Sequence, residues 1–274
     1  MPVAAKGFTL RRSRTLASAL AMLADDPALM PIAGCTDVYV GLHFGTLAHT
    51  SFVDLWGLDD LRRIGVVDGC LRIGALATYT ALIRSAVVRR RVPMLVAAAR
   101  EVGGAQIQNR GTLGGNIANA SPAGDTLPVL AAAGARVVLC RKGSERTVPF
   151  SSFYTGYRTS VRRGDELIAA VEIPAIAGRQ WWRKVGTRRA QSISKVMMAG
   201  VRGPEGARVA LGSVAPTVIR ASGAEAVLDR GGTLAEAQAA LRSALAPIDD
   251  VRSTGEYRLN VASNLLARFW SETA

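Results

Sequence analysis

The spacing of apolar positions divides the chain into segments of different character. Leu16, Leu20 and Leu23 recur at helical spacing and predict an amphipathic helix over 13–26. Pro31-Ile32-Ala33-Gly34 reads as a short apolar strand running into a glycine-containing loop, with a further short element over 37–41. Apolar residues flank Asp68-Gly69 and predict a hairpin over 61–77, because that dipeptide accepts the positive φ angles of a two-residue turn. The run 93–102 predicts a helix with proline in its first turn and Gly103 just past its end.

Regular periodicity then stops. Residues 103–125 are rich in Gly, Asn, Ser and Thr and read as a long ordered loop. A short helix is expected from Asp125 to Ala133, with Asp125 as its N-cap and Gly134 after it. Strands are expected at 135–140 and 167–173, the latter ended by Pro174. From about 179 the texture changes. Three strand-like runs at 181–186, 196–201 and 208–214 precede a helix at 233–246 with Thr233 as N-cap. A last helix carries Tyr257, Val261, Leu265, Leu266 and Phe269 on one face. Strands followed by helices, without regular alternation, point to an α+β fold. Pro174 and Gly178 place the division between a domain at 1–175 and a second at 179–274.

Composition narrows this picture. Hydrophobic residues form 49% of the 274 positions, enough for a substantial core. No apolar run reaches the roughly 18 residues of a membrane helix. Arg11-Arg12 and the alanine- and leucine-rich stretch after it imitate an export signal, but the stretch is short and ends in Asp25-Asp26-Pro27. Cys35, Cys70 and Cys140 are too few and too scattered for a disulfide framework, a zinc site or an iron–sulfur cluster held by this chain alone. A reducing cytoplasm is the expected compartment.

The formal charge is +13, from 34 Lys+Arg against 21 Asp+Glu. The basic residues are dispersed, aromatics form only 5%, and no nucleic-acid-binding spacing is present. A solvated surface or a docking face for an acidic subunit is expected rather than a nucleic-acid site.

Two segments are suited to chemistry: Ala33-Gly34-Cys35-Thr36-Asp37, and the run from Gly103 to Asp125. Five glycines fall within 103–115, so backbone can approach a ligand closely, and successive free N–H groups in such a bend form a concave anion site. Thr112, Asn116 and Ser121 add short neutral hydrogen bonders. A diphosphate in an extended dinucleotide fits these features; two tight turns with structural glycines fit them as well. Walker-type, Rossmann and nucleophile-elbow motifs are absent. His43 and His49 have no carboxylate or cysteine at metal-ligand spacing, so both read as surface or packing residues. No catalytic or metal-binding side chain is expected, and redox chemistry would need a bound cofactor.

At these two segments the chain resembles the FAD-binding medium subunits of molybdenum hydroxylases, the family of xanthine dehydrogenase and carbon monoxide dehydrogenase. Ala33–Asp37 is similar to the family's A-G-G-T-D signature, and Thr112–Asp125 to its longer T-[LIV]-G-G-N-[IL]-x-x-A-S-P-x-x-D run. The similarity continues through Phe153–Arg158, Asp165–Ile168, Glu172–Pro174, Lys184 with Arg188-Arg189, Tyr257-Arg258 and Asn264–Leu266.

The resemblance implies a two-lobed FAD-binding domain of the vanillyl-alcohol-oxidase type, with lobes at about 1–57 and 58–175. A small C-terminal lobe of three antiparallel strands and helices would follow. It implies that Pro31, Ile32, Ala33, Gly34, Cys35, Thr36 and Asp37, with Gly111, Thr112, Gly114, Gly115 and Asn116, cradle the diphosphate through backbone N–H groups. Ser121 would lie nearby and Asp125 would bond the ribose or adenine end. Val102, Gly103, Leu167 and Ile168 would line the dinucleotide, and Lys184 would lie near the flavin ring.

The implied role is electron transfer. A large molybdenum-cofactor subunit oxidises substrate, a small iron–sulfur subunit relays electrons, and FAD on this chain passes them to an acceptor such as NAD or quinone. The alternative is an FAD-free structural or assembly module of the same fold. Two departures from the family pattern stand out. Cys35 replaces the second glycine of A-G-G-T-D, at a strain of about 1 kcal/mol or more if that position needs positive φ. Ala190-Gln191-Ser192 stands where relatives carry acidic residues, which weakens an inference of NAD binding. The hydroxylase substrate belongs to the large subunit and is not legible here.

Overall fold

The computed structural model describes residues 7–274, so the first six residues of the expected N-terminal lobe lie outside the described residues. The chain opens with β1 (Thr9–Arg12), α1 (Leu16–Asp25), β2 (Met30–Ile32), α2 (Thr36–His43) and β3 (Ser51–Asp54). The strands form a parallel sheet in the order β1-β3-β2. Thr15 caps α1 by accepting the Ser18 N–H. Ala19, Leu20 and Leu23 face inward as their spacing predicts.

A second sheet follows. The hairpin β4 (Ile64–Val67) and β5 (Cys70–Gly74) turns at Asp68 and Gly69, which adopt φ 48° and 77° as the dipeptide predicts. Helices α3 (Tyr79–Arg84), α4 (Ala86–Arg91), α5 (Pro93–Glu101), α6 (Ala105–Arg110), α7 (Leu113–Asn119) and α8 (Leu127–Ala132) come next. They lead to β6 (Arg136–Arg141), β7 (Ser144–Pro149), the small hairpin β8 (Tyr154–Gly156) and β9 (Thr159–Ser160), and β10 (Leu167–Ile173). The antiparallel order is β4-β5-β10-β6-β7. β10 is central and buried on both faces, which explains its unbroken apolar run. Val137, Leu139 and Val171 join the core beneath the helices; Val138, Leu167 and Ala169 join the core shared with α1 and β3.

The chain ends in β11 (Arg179–Val185), β12 (Val196–Gly203), β13 (Gly206–Gly212), β14 (Ile219–Arg220), α9 (Ser222–Asp229), α10 (Leu234–Ala244) and α11 (Gly255–Glu272). The sheet is antiparallel and a fourth, two-residue strand extends the three expected ones. Its two faces bury different partners. Trp181, Met198 and Leu211 pack with α9–α11, whereas Trp182, Ala199 and Ala210 join the core of the preceding sheet and its helices. Thr233 and Glu236 form a reciprocal cap at the start of α10.

Three expectations are corrected and one open element is defined. The run 103–125 contains two short helices, α6 and α7, because tertiary packing and the Thr112 cap override weak helix propensity. The short element expected after Gly34, whose type the sequence leaves open, is a helix. α8 starts at Leu127, after Thr126, and Asp125 makes no cap. Tyr257 is 43% exposed, while its neighbour Arg258 is buried and donates to the carbonyls of Lys195 and Ser213. The inward stripe of α11 therefore begins one residue later.

Candidate functional site

The first glycine bend joins β2 to α2. Gly34 is needed there because a Cβ would overlap the Arg110 carbonyl oxygen at the end of α6. Cys35 follows at φ 62°, ψ 12°, the left-handed conformation at which its side chain is strained. Its Sγ lies 3.4 Å from the Ala33 carbonyl and makes no helix cap. The first bond of α2 runs from Tyr39 N–H to the Cys35 carbonyl. The N–H groups of Gly34, Cys35, Thr36, Asp37 and Val38 have no acceptor among the described residues. All five residues line one cavity. Five bare amides at a helix start form an anion-attracting end.

The second glycine segment lies opposite and uses its amides differently. Gly111 N–H donates to Ile107 O at 2.6 Å, Leu113 N–H to Ala77 O at 3.0 Å and Gly114 N–H to Ala75 O at 2.8 Å. Gly115 N–H donates to the Thr112 hydroxyl at 3.1 Å, and Asn116 N–H to Thr112 O at 3.0 Å. Within 111–116 only the Thr112 N–H lacks an acceptor among the described residues. The expectation that this run offers a row of free amides is therefore corrected. Its glycines serve close packing instead: a Cβ on Gly114 would meet Ala75 Cβ at 2.6 Å, and one on Gly111 would meet the Tyr79 ring at 2.9 Å.

The two segments converge on a cavity of about 900 Å³ along the seam between the parallel sheet and the five-stranded sheet. That volume lies at the upper end of the roughly 300–1,000 Å³ range of ligand pockets. Of the residues expected at the site, Pro31 to Asp37, Val102, Gly111, Thr112, Gly114, Gly115, Asn116, Ser121, Asp125, Leu167 and Ile168 line it. Gly103 does not; at φ 53° it packs against Ile107 behind the wall.

Lys184 also stands one layer back. Its Nζ donates to Asp125 Oδ2 at 2.8 Å and to Glu101 O at 3.2 Å, with 5% of its side chain exposed. Asp125 accepts a second bond from Ser194 Oγ at 2.6 Å. Burial raises the Asp125 pKa, and Lys184 and Ser194 oppose that rise. This buried group ties the cavity wall to the C-terminal sheet: Lys184 is spent on Asp125 and Glu101 away from the cavity, whereas Asp125 lines it with one bond on each carboxylate oxygen.

Several wall residues are not singled out by sequence reasoning. Tyr79, Asn119, Arg158, Arg162 and Glu166 line the cavity, and so does His49, expected only as a surface or packing residue. Asn119 Nδ2 donates to Asp37 Oδ1 at 2.9 Å, and Arg158 Nη1 donates to Asn119 Oδ1 at 2.9 Å. Partial loss of hydration at the cavity rim raises the Asp37 pKa, partly offset by Arg158. Burial likewise raises the Cys35 pKa against the pull of Arg110, so the thiol stays protonated at neutral pH. Arg62 and Arg110 both lie over the Trp56 ring, at 4.1 and 3.7 Å from its centroid, which helps to hold Arg110 against the first bend. No cluster of metal-binding side chains occurs among the described residues, nor any helix long and apolar enough to cross a membrane.

A two-lobed α+β body holding a dinucleotide-sized cavity at its seam, with an anion-attracting helix start on one wall, defines a nucleotide-cofactor protein. Comparison with known proteins specifies it. The FAD binding domain in molybdopterin dehydrogenase matches residues 6–176, and the CO dehydrogenase flavoprotein C-terminal domain matches 182–273. The xanthine dehydrogenase FAD-binding subunit of Escherichia coli O157:H7 is 32% identical over 276 residues, covering 95% of this chain and 94% of that one. The carbon monoxide dehydrogenase medium chain of Hydrogenophaga pseudoflava is 30% identical over 263 residues, covering 92% and 88%.

Among solved structures, carbon monoxide dehydrogenase from Hydrogenophaga pseudoflava superposes with a TM-score of 0.91 at 27% identity, covering 97% of this chain and 98% of that one. Quinoline 2-oxidoreductase from Pseudomonas putida 86 gives 0.90 at 27% identity, covering 97% and 96%. The chain belongs to the FAD-binding medium subunits of the xanthine dehydrogenase and carbon monoxide dehydrogenase family, and it is an oxidoreductase subunit.

Proposed function

We propose that this chain binds FAD along the seam with the diphosphate on the amides of residues 34–38, and serves as the electron-transfer subunit of a cytoplasmic molybdenum hydroxylase. In this reading electrons arrive from a small iron–sulfur subunit, which receives them from a large molybdenum-cofactor subunit, and leave to an acceptor such as NAD or quinone. The observation that carries it is the row of five unbonded N–H groups on the wall of a cavity large enough for a dinucleotide. Bound FAD supplies the ability to take electrons singly and release them as a pair.

The chain's own residues bind and orient. In this reading the first bend gives the diphosphate donors that no protein acceptor competes for, on residues that line the cavity. Gly114 and Gly115 let the opposite wall approach closely. Val102, Leu167 and Ile168 offer apolar surface that excludes water. Asp125, fixed by Lys184 and Ser194, offers its remaining lone pairs to a sugar hydroxyl. Cys35 does not argue for an FAD-free module: its Sγ turns to Ala33 O and leaves the amides bare.

The test is purification of the whole chain, alone and with its neighbouring subunits. A yellow protein releasing FAD on denaturation, whose flavin is reduced when the hydroxylase substrate is added to the complex, is expected. A colourless protein that cannot be reconstituted with FAD overturns the reading. The substrate follows from the large subunit that co-purifies.

A further inference from the structure

We infer that Arg158 is a latch that retains the dinucleotide, bridging the cavity mouth from the β8–β9 hairpin through Asn119 to Asp37 on α2. The inference rests on the FAD reading above. The hairpin has a rigid root: Tyr154 Oη donates to Ile117 O at 2.9 Å, and the Tyr154 ring meets Phe150 and Phe153 edge-on at 5.5 and 5.2 Å. Its tip carries Arg158 at φ 53°, a conformation that L residues with a Cβ adopt only when their surroundings hold them there. From that tip Arg158 Nη1 reaches Asn119 Oδ1 at 2.9 Å, and Asn119 Nδ2 reaches Asp37 Oδ1 at 2.9 Å.

The three residues all line the cavity and come from elements on its two sides. Asp37 and Arg158 are also exposed, which places the bridge at the rim rather than in the interior. The bridge therefore links the helix that offers the bare amides to the wall facing it.

Charge sharpens the assignment. Two arginines line the cavity. Arg162 anchors its Nη1 on the carbonyls of Arg163 and Glu166 at 3.0 and 2.7 Å and also keeps donors without acceptors among the described residues, so place separates the two: Arg162 is half-buried and Arg158 is exposed at the rim. Arg158 uses Nη1 on Asn119 and Nε on the Tyr157 hydroxyl, so its Nη2 has no acceptor among the described residues. A guanidinium with a spare donor, on the same cavity as the bare amides and tied through Asn119 to their helix, suits a diphosphate. Arg158 thus joins two functions, holding the rim closed and compensating the ligand's charge.

The whole chain, loaded with FAD, is diluted and FAD release is followed by the recovery of flavin fluorescence. Arg158→Ala and Asn119→Ala are each expected to release FAD about ten-fold faster than wild type, the effect of losing one charge-assisted bond or its support. The double variant is expected to release little faster than the faster single, because one bridge is being cut twice. Arg158→Lys keeps the charge without the planar fork, so it should release faster than wild type yet keep the wild-type salt dependence, which Arg158→Ala loses. Wild-type release rates in Arg158→Ala overturn the latch while leaving FAD binding intact. A wild-type chain that takes up no FAD overturns both readings.

Discussion

The two glycine segments resemble each other in composition and differ in what their backbones do. In the first, Gly34 brings the chain against Arg110 and Cys35 turns it, leaving the amides of 34–38 without partners among the described residues. In the second, Gly111 and Gly114 bring the chain against Tyr79 and Ala75, and nearly every amide is bonded inside the protein. Glycine thus marks close approach in both, but only the first leaves donors for a ligand. A glycine-rich run is evidence for a binding site only once its N–H groups have been traced.

The largest effect is expected where the second segment ends, at Asp125. If that end is chiefly a structural tie to the C-terminal sheet, Lys184→Met should cost stability before it costs FAD. It strands a buried carboxylate, a loss of about 3–5 kcal/mol. The pH dependence has a definite sign. Burial already raises the Asp125 pKa above its unfolded value, and removing Lys184 raises it further. A group of this kind binds its proton more tightly when folded, so its contribution to stability falls as pH rises from the unfolded pKa to the folded one. The deficit of Lys184→Met should therefore be greatest at neutral pH and shrink in mild acid. Thermal unfolding between pH 5 and 8 reads it; a deficit independent of pH would break the assignment.

Gly34→Val and Gly114→Val compare the two segments directly. The first pushes the bend off the Arg110 carbonyl and disturbs the bare amides. FAD affinity should fall at least about 100-fold, or 2.7 kcal/mol, beyond what the accompanying loss of apoprotein stability accounts for. The second forces a side chain into a fully packed site 2.6 Å from Ala75 Cβ. It should lose about 1–3 kcal/mol of stability, with FAD binding weakened only as far as the fold is. Titration with FAD beside thermal unfolding separates the two. If Gly34→Val instead loses stability and keeps FAD, the contrast between the segments is wrong.

How much of this was legible in the sequence follows the range of the forces involved. The apolar runs of β10 and β12 and the Asp68-Gly69 turn are local signals, and all three are found in place. The glycine bends are visible as compositions, but the state of their amides is not, since Gly114 N–H is satisfied by Ala75, far away along the chain. α6 and α7 escape detection because helices of six and seven residues draw their stability from packing rather than propensity. Asp125 resembles a helix cap by position, yet its partners Lys184 and Ser194 lie on and beside the C-terminal sheet. The Asp37–Asn119–Arg158 bridge spans 82 and 39 residues and leaves no periodic trace.

The smallest effect concerns the residue that departs from the family pattern. Cys35 holds φ 62°, so a side chain occupies a conformation that disfavours it by about 1–2 kcal/mol. Cys35→Gly removes that strain but adds conformational freedom to the unfolded chain, which offsets about 0.5–1 kcal/mol of the gain. The weak contact from Sγ to Ala33 O is also lost. Relief should narrowly win, giving a gain of about 0.5 kcal/mol and a rise of roughly 1–2 °C in the unfolding temperature. FAD release should stay within about two-fold of wild type, because the backbone path and its amides are unchanged. Cys35→Ala is the control: it keeps the Cβ and its strain while losing only the sulfur, so it should not be stabilised. If Cys35→Gly proves less stable than Cys35→Ala, the bend holds its shape without stored strain, and its bare amides owe their placement to the contact at Gly34 alone.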